Sequence, residues 1–161
     1  MRDLAIGAAV GYCSSRAMDQ ATSWYLERQS EASKQREEEI AGGGTPELVG
    51  KKLARLVGRD DVTDEAAIRI GSVVHRSLGM AFGMAAAALA RKVVRPLTAG
   101  IATGAAAFVV VDEAFLSALF TPPPWAYPFE RHLRGVVGHL GYGVTAGAML
   151  SAARWLGAVS R

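Results

Sequence analysis

Two stretches of this chain carry the same ladder of small residues. Gly71, His75, Gly79, Gly83 and Ala87 follow one another at steps of four, and Gly135, His139, Gly143, Gly147 and Ser151 repeat the ladder 64 positions later. The segments ahead of them also match. Gly7, Gly11, Asp19, Gln20, Ala21 and Leu26 correspond at an offset of 93 to Gly100, Gly104, Asp112, Glu113, Ala114 and Leu119. Steps of four place residues on one helical face. The pattern predicts an all-α chain built from a duplicated two-helix unit. Each unit carries one acidic position and one histidine on a face otherwise made of small residues.

Charge is distributed unevenly. The segment 27–66 holds ten of the 15 acids and seven of the 18 basic residues. Outside it lie four apolar stretches, 4–26, 66–90, 97–120 and 132–157. Each is long enough to cross about 30 Å of hydrocarbon at about 1.5 Å per residue. The expected architecture is a four-span transmembrane bundle forming one membrane domain over 1–161, with 27–65 as an extramembrane polar segment. The competing reading is a soluble helical bundle. Arg16, Asp19, Arg69, His75, Arg76, Asp112 and Glu113 fall inside the proposed spans, and a central Arg or Asp costs about 2.5–3.5 kcal/mol on insertion scales. Against it, 97–111 has no charge at all. Glycines at four-residue spacing weaken a helix in water by roughly 1 kcal/mol each, whereas in a bilayer they allow close helix contact.

Several classes are set aside. The first apolar stretch contains Arg16 and Asp19 with no clear cleavage site after it, so it does not read as a secretory signal. The single cysteine, Cys13, excludes an intrachain disulfide and a cysteine-cluster metal site; it reads as a small core residue. The net charge of +3 comes from scattered residues, and no basic stripe suggests nucleic acid as a partner.

Along the chain, Trp24 and Tyr25 end span one with interface-type aromatics. A solvated helix or loop over 27–41 ends at Gly42, Gly43 and Gly44. Thr45 followed by Pro46 reads as an N-cap with proline at the first helical position. Leu48, Val49, Leu53, Leu56 and Val57 then line one side of a short amphipathic helix, lying on the membrane surface or packing on other extramembrane segments. Thr63, Asp64 and Glu65 start span two. Pro122, Pro123 and Pro124 stop span three. Arg2, Arg91, Lys92, Arg95, Arg154 and Arg161 gather at one side; net charge places both termini in the cytoplasm, whereas a strict Lys/Arg count does not, because 27–66 is also rich in basic residues.

Antiparallel spans bring Asp19, His75, Asp112 and His139 to one depth, about 10 Å below the surface that bears 27–66. Three readings of this cluster stand. It forms a proton or ion site, since intramembrane ionisable groups face bundle interiors or water paths and histidine titrates near neutrality. It binds a metal through imidazole and carboxylate, with Glu113 or Gln20 supporting the ligands. Or each histidine simply ties helices together through an aspartate. Arg16 is spaced to pair with Asp19 within the helix. Gly7, Gly11, Gly79, Gly83, Gly100, Gly104, Gly143 and Gly147 are expected to pack helix on helix. No cofactor is required, and no catalytic residue is assigned.

The run Thr121, Pro122, Pro123, Pro124, Trp125, Ala126, Tyr127, Pro128, leading to Gly138, His139 and Leu140, resembles the loop-to-helix junction of the YagU-like bacterial inner-membrane proteins. His75 in a glycine-rich second span and the Gly100/Gly104 pair are similar as well. The resemblance implies a polytopic protein of the bacterial inner membrane, a link to acid resistance and no enzyme chemistry. Together the readings give a bilayer-embedded protein that handles protons or ions. The alternatives are an accessory or scaffold subunit of a membrane complex and a metal-binding membrane protein. A homo-oligomer or a larger complex is the expected setting.

Overall fold

The computed structural model describes residues 2–92 and 95–157, at 115–117 by backbone alone; Arg161 lies outside them. Every regular element among the described residues is helical. The order is α1 (Arg2–Arg28), α2 (Glu31–Ala41), α3 (Thr45–Leu56), α4 (Asp64–Lys92) and α5 (Pro96–Ala107). The last runs through a π-helical segment (Phe108–Phe115) into the short α6 (Leu116–Leu119). A 3-10 turn (Pro124–Ala126) leads to α7 (Phe129–Trp155).

Among the described residues, three helices are long and apolar enough to cross a membrane: Asp64–Lys92, Pro96–Ala114 and Phe129–Trp155. At 27 residues α1 has the length, but it lies outside that group: Arg2, Asp3, Arg16, Asp19, Glu27 and Arg28, with the polar residues between them, lower its apolar character.

Glycine sets the packing. α1 runs antiparallel to α4 with backbone against backbone. A Cβ on Gly11 would sit 2.2 Å from the Gly79 carbonyl oxygen, and one on Gly7 would sit 2.8 Å from Met84 Cα. α5 meets α7 in the same manner. A Cβ on Gly100 would lie 2.4 Å from the Gly143 oxygen, and one on Gly104 2.5 Å from the His139 oxygen. The two pairs are matched one turn apart. Gly11 reaches Gly79, whereas its counterpart Gly104 reaches His139, four residues before Gly143.

α1 also packs on α7, where Gly138 faces Thr22 and Met18, and α4 adjoins α5. The helices therefore ring the axis in the order α1, α4, α5, α7. Across the middle, the Tyr142 hydroxyl donates to the Gly79 carbonyl at 2.6 Å. Val10, Ala86, Ala99, Ala146 and Leu150 fill the core beside it. Two further buried hydroxyls are satisfied within their own helices, Ser15 by the Gly11 carbonyl and Thr103 by that of Ala99, whereas Ser14 Oγ has no hydrogen-bond partner among the described residues.

The amphipathic α3 does not lie free. It packs on the first turns of α4, where a Cβ on Gly50 would fall 1.9 Å from the Ala67 oxygen and one on Gly71 1.9 Å from the Pro46 oxygen. Gly71 thus leaves the α1-facing ladder and serves α3. Of the apolar side Leu48, Val49, Leu53, Leu56 and Val57, the last two are open, at 74% exposure each. Its N-cap is Gly44 rather than Thr45, and Pro46 is the second helical residue. The Thr45 hydroxyl instead accepts from Arg131 at 3.5 Å. Cys13 is exposed, not a core residue, because Gly7, Val10, Gly11, Ser14 and Ser15 occupy the inner face of α1.

Gly11→Ala should lower stability by about 1–3 kcal/mol, since the carbonyl it meets is backbone and cannot swing away. Gly141→Ala meets only the Ala21 Cβ at 3.2 Å and the Ala17 oxygen at 3.8 Å. Its gain in helix propensity offsets that contact. Thermal unfolding in detergent checks the pair: a clear drop for the first and little change for the second.

Candidate functional site

Beyond the end of the glycine ladders the helices enclose a cavity of about 580 Å³. Its walls come from α1, α3, α4, the π segment and α7. Asp19, His75, Asp112, Glu113 and His139 all line it. The groups are arranged as pairs. Asp19 of α1 approaches His75 of α4, with Oδ1 at 3.2 Å from Nε2. That approach is off the hydrogen-bond direction, and Nε2 has no hydrogen-bond partner among the described residues. Arg76 donates to the other Asp19 oxygen. Arg16 is exposed and is not the partner of Asp19. The Arg76 guanidinium also leans over the Tyr12 ring at 6.0 Å.

The second pair is Asp112 and His139, with Oδ2 3.6 Å from Nδ1. His139 Nδ1 lies 3.0 Å from the Gly135 carbonyl. A carbonyl can only accept, so Nδ1 carries the proton in this arrangement. The Phe108 ring meets the imidazole edge-on at 5.7 Å. Gly135 makes room for both neighbours: a Cβ there would lie 2.8 Å from Phe108 and 2.9 Å from Asp112 Oδ2.

A third pair escapes the ladder argument. His132 Nδ1 lies 2.7 Å from Glu113 Oε1, so Glu113 is a direct partner rather than a supporting group. Asp112 and Glu113 are sequence neighbours, yet they meet histidines seven residues apart on α7, about 10 Å along the axis. The widened turn of the π segment carries both acids, and π geometry recurs at functional sites. The sequence did hold a signal for His132: with Gly135 and His139 it forms an i, i+3, i+7 face. Gln20, the other proposed supporting residue, is exposed. Among the described residues no three of His, Cys, Asp and Glu are placed to hold a metal ion.

The polar segment is less solvated than its composition predicts. Glu37 of α2 is only 13% exposed. It accepts from Arg134 at 2.6 and 3.2 Å and from Gln29, with Arg131 3.7 Å away. Arg134 also donates to Gln29 at 2.5 Å. Glu130 takes the Ser30 backbone N–H and hydroxyl, both at 2.8 Å. The start of α2 is thus latched to the first turns of α7, at the mouth of the cavity. There Arg131 stacks on the Tyr127 ring at 3.8 Å, and burial pushes the Tyr127 phenol up.

Replacing Arg134 with Met should cost about 3 kcal/mol of stability, because Glu37 is left buried without its main partner. Replacing Arg36, whose pair with Glu39 is well exposed, should change stability by less than about 1 kcal/mol. Denaturation of the two variants side by side reads the difference. Comparison with family models, with curated proteins and with solved structures gives no match to this chain, so the work of the cavity has to be read from its own residues.

Proposed function

We propose that this is a small polytopic inner-membrane protein that handles protons through the histidine–carboxylate pairs of its cavity. One observation carries the reading. The chain has three histidines, and each lines this cavity within 3.6 Å of a carboxylate. Histidine changes charge in the physiological range, and a carboxylate beside it can hold or accept the proton. Three such pairs round one space give a proton somewhere to enter and somewhere to move.

In this reading α1 crosses with its neighbours, as the fourth span. It lies against α4 and α7 along most of its length, so it shares whatever layer they occupy. The matched helix pairs, α1 with α4 and α5 with α7, are two copies of one unit about an axis along the membrane normal. Arg2, Arg91 and Arg154 meet at one end, where Arg2 reaches the Gly157 carbonyl and Arg154 that of Ala90. With that end in the cytoplasm, the cavity opens on the outer face, the side that acidifies first. A role in acid stress, which the YagU-like resemblance implies, fits this orientation.

The glycine faces and the amphipathic helix are occupied within the chain, by the Gly7–Gly83 type contacts and by α3 on α4. Partners for assembly would therefore meet larger side chains such as Val73, Ile101 and Val144, which are exposed on the outside of the bundle.

Two measurements test the proposal. The protein should stay with membranes through alkaline carbonate extraction; release as a folded soluble monomer would overturn the membrane reading. In proteoliposomes, Asp112→Asn and His139→Ala should abolish a pH-gradient-driven proton flux, while Arg36→Ala leaves it intact. Unchanged flux with a loss of stability of about 3–5 kcal/mol would make the pairs structural ties only.

A further inference from the structure

We propose that the same cavity is a binding site for a small organic carboxylate with an apolar body. The inference stands on unsatisfied groups and on shape, and it does not depend on proton flux. Small-molecule sites are concave spaces of about 300–1,000 Å³ with mostly apolar walls and a few placed polar groups. This cavity, at about 580 Å³, has that character. Met18, Phe82, Phe108 and Val111 supply apolar wall, and Arg76 and Tyr127 stand among the polar residues.

Buried polar atoms are nearly always hydrogen-bonded. Here three residues lining one cavity each have a buried polar atom without a hydrogen-bond partner among the described residues. They are His75 Nε2, Arg76 Nη1 and the Tyr127 hydroxyl. His75 and Arg76 belong to α4, and Tyr127 to the turn ahead of α7, so the three residues line the space from different elements.

The chemistry of these atoms selects the ligand. A guanidinium only donates and is always charged, and a neutral phenol donates readily. The missing partner therefore offers acceptor oxygens and a negative charge. A cation finds no vacancy, since each cavity carboxylate already faces a basic group: Asp19 has His75 and Arg76, Asp112 has His139 and Glu113 has His132. A carboxylate on Arg76 would leave the guanidinium bridging two acids, the Asp19 oxygen on one nitrogen and the ligand on the other. Its apolar body would lie along Met18, Phe82, Phe108 and Val111. Inorganic phosphate matches the donors but leaves those walls uncovered.

Benzoate is a probe of the right class and size. With the full chain in lipid nanodiscs, calorimetric titration should give saturable binding of one benzoate per chain. Benzylammonium, which has the same body and the opposite charge, should not bind. Arg76→Gln should weaken benzoate by about tenfold or more, the loss of one charge-assisted hydrogen bond, while the exposed Arg16→Gln leaves it unchanged.

Because Arg76 also holds Asp19, Tyr127→Phe is the cleaner variant. It removes one hydroxyl and leaves the Arg76–Asp19 pair in place, so the unliganded protein should melt close to the parent while benzoate binding weakens. No saturable benzoate binding, equal binding of benzylammonium, tighter binding of inorganic phosphate, or full affinity in Tyr127→Phe would each overturn the proposal. The titration uses no gradient, so its failure is separate from a failure of proton flux.

Discussion

Close approach of helix backbones at glycine governs the rest of this structure. Where Gly11 faces the Gly79 carbonyl and Gly100 faces that of Gly143, no side chain of any size fits between the helices. The crossings set how far apart the two members of each pair stand one and two turns further along. There the chain changes from glycine to functional side chains. His75 follows one turn from Gly79 and Asp19 two turns from Gly11, and the close crossing lets the short aspartate reach the imidazole. On α7, His139 lies one turn from Gly143, and Gly135 one turn further on gives Asp112 its space. Beyond the ladders larger residues spread the helices, and the cavity occupies the space that opens.

This dependence explains what the sequence disclosed. Helical periodicity is local, so the ladders and the gathering of Asp19, His75, Asp112 and His139 were legible from spacing, though not which acid meets which histidine. Features that need two distant segments to meet were not. Glu37 stands in a run of three glutamates, and nothing in that run distinguishes it from Glu38 and Glu39. Only the fold brings it to Arg134, 97 positions away. The π segment was equally hidden, because its wider turn departs from the 3.6-residue period on which face assignments rest. That departure gives Glu113 its partner His132. Gly71 shows the limit in another way: it keeps the ladder's spacing but serves α3, since the contact of a glycine depends on what passes it.

The polar segment belongs to the site. Thr45, Pro46 and Val49 line the cavity, and α3 is held there by backbone contacts at Gly50 and Gly71. At the other end of the segment, Ser30 and Glu37 are fastened to Glu130 and Arg134 on α7. The cover is thus attached at both ends to helices that carry cavity residues. Glu37 is nearly buried yet neutralised by arginines on the helix it meets. Ionic contact does at this end of the protein what glycine contact does at the other.

The two halves keep the acid and the histidine but differ beside them. Arg76 follows His75, whereas the position after His139 is Leu140. Asp19 therefore has a cation that never loses its charge, and among the described residues the ion-pair partner of Asp112 is a histidine. A proton arriving at the first pair meets a carboxylate already neutralised by arginine; one arriving at the second changes the charge of the pair outright. The one-turn difference in glycine register accompanies this divergence, since it brings the His139 carbonyl, ahead of the Gly143 backbone, against Gly104. In the proposed scheme the halves divide the work. The arginine side, with its unsatisfied nitrogen, suits a fixed site for an anion, and the leucine side suits a group that gains and loses charge. A repeat that had kept arginine in both halves would hold two fixed ion pairs and leave Glu113 with His132 as the one pair free of arginine.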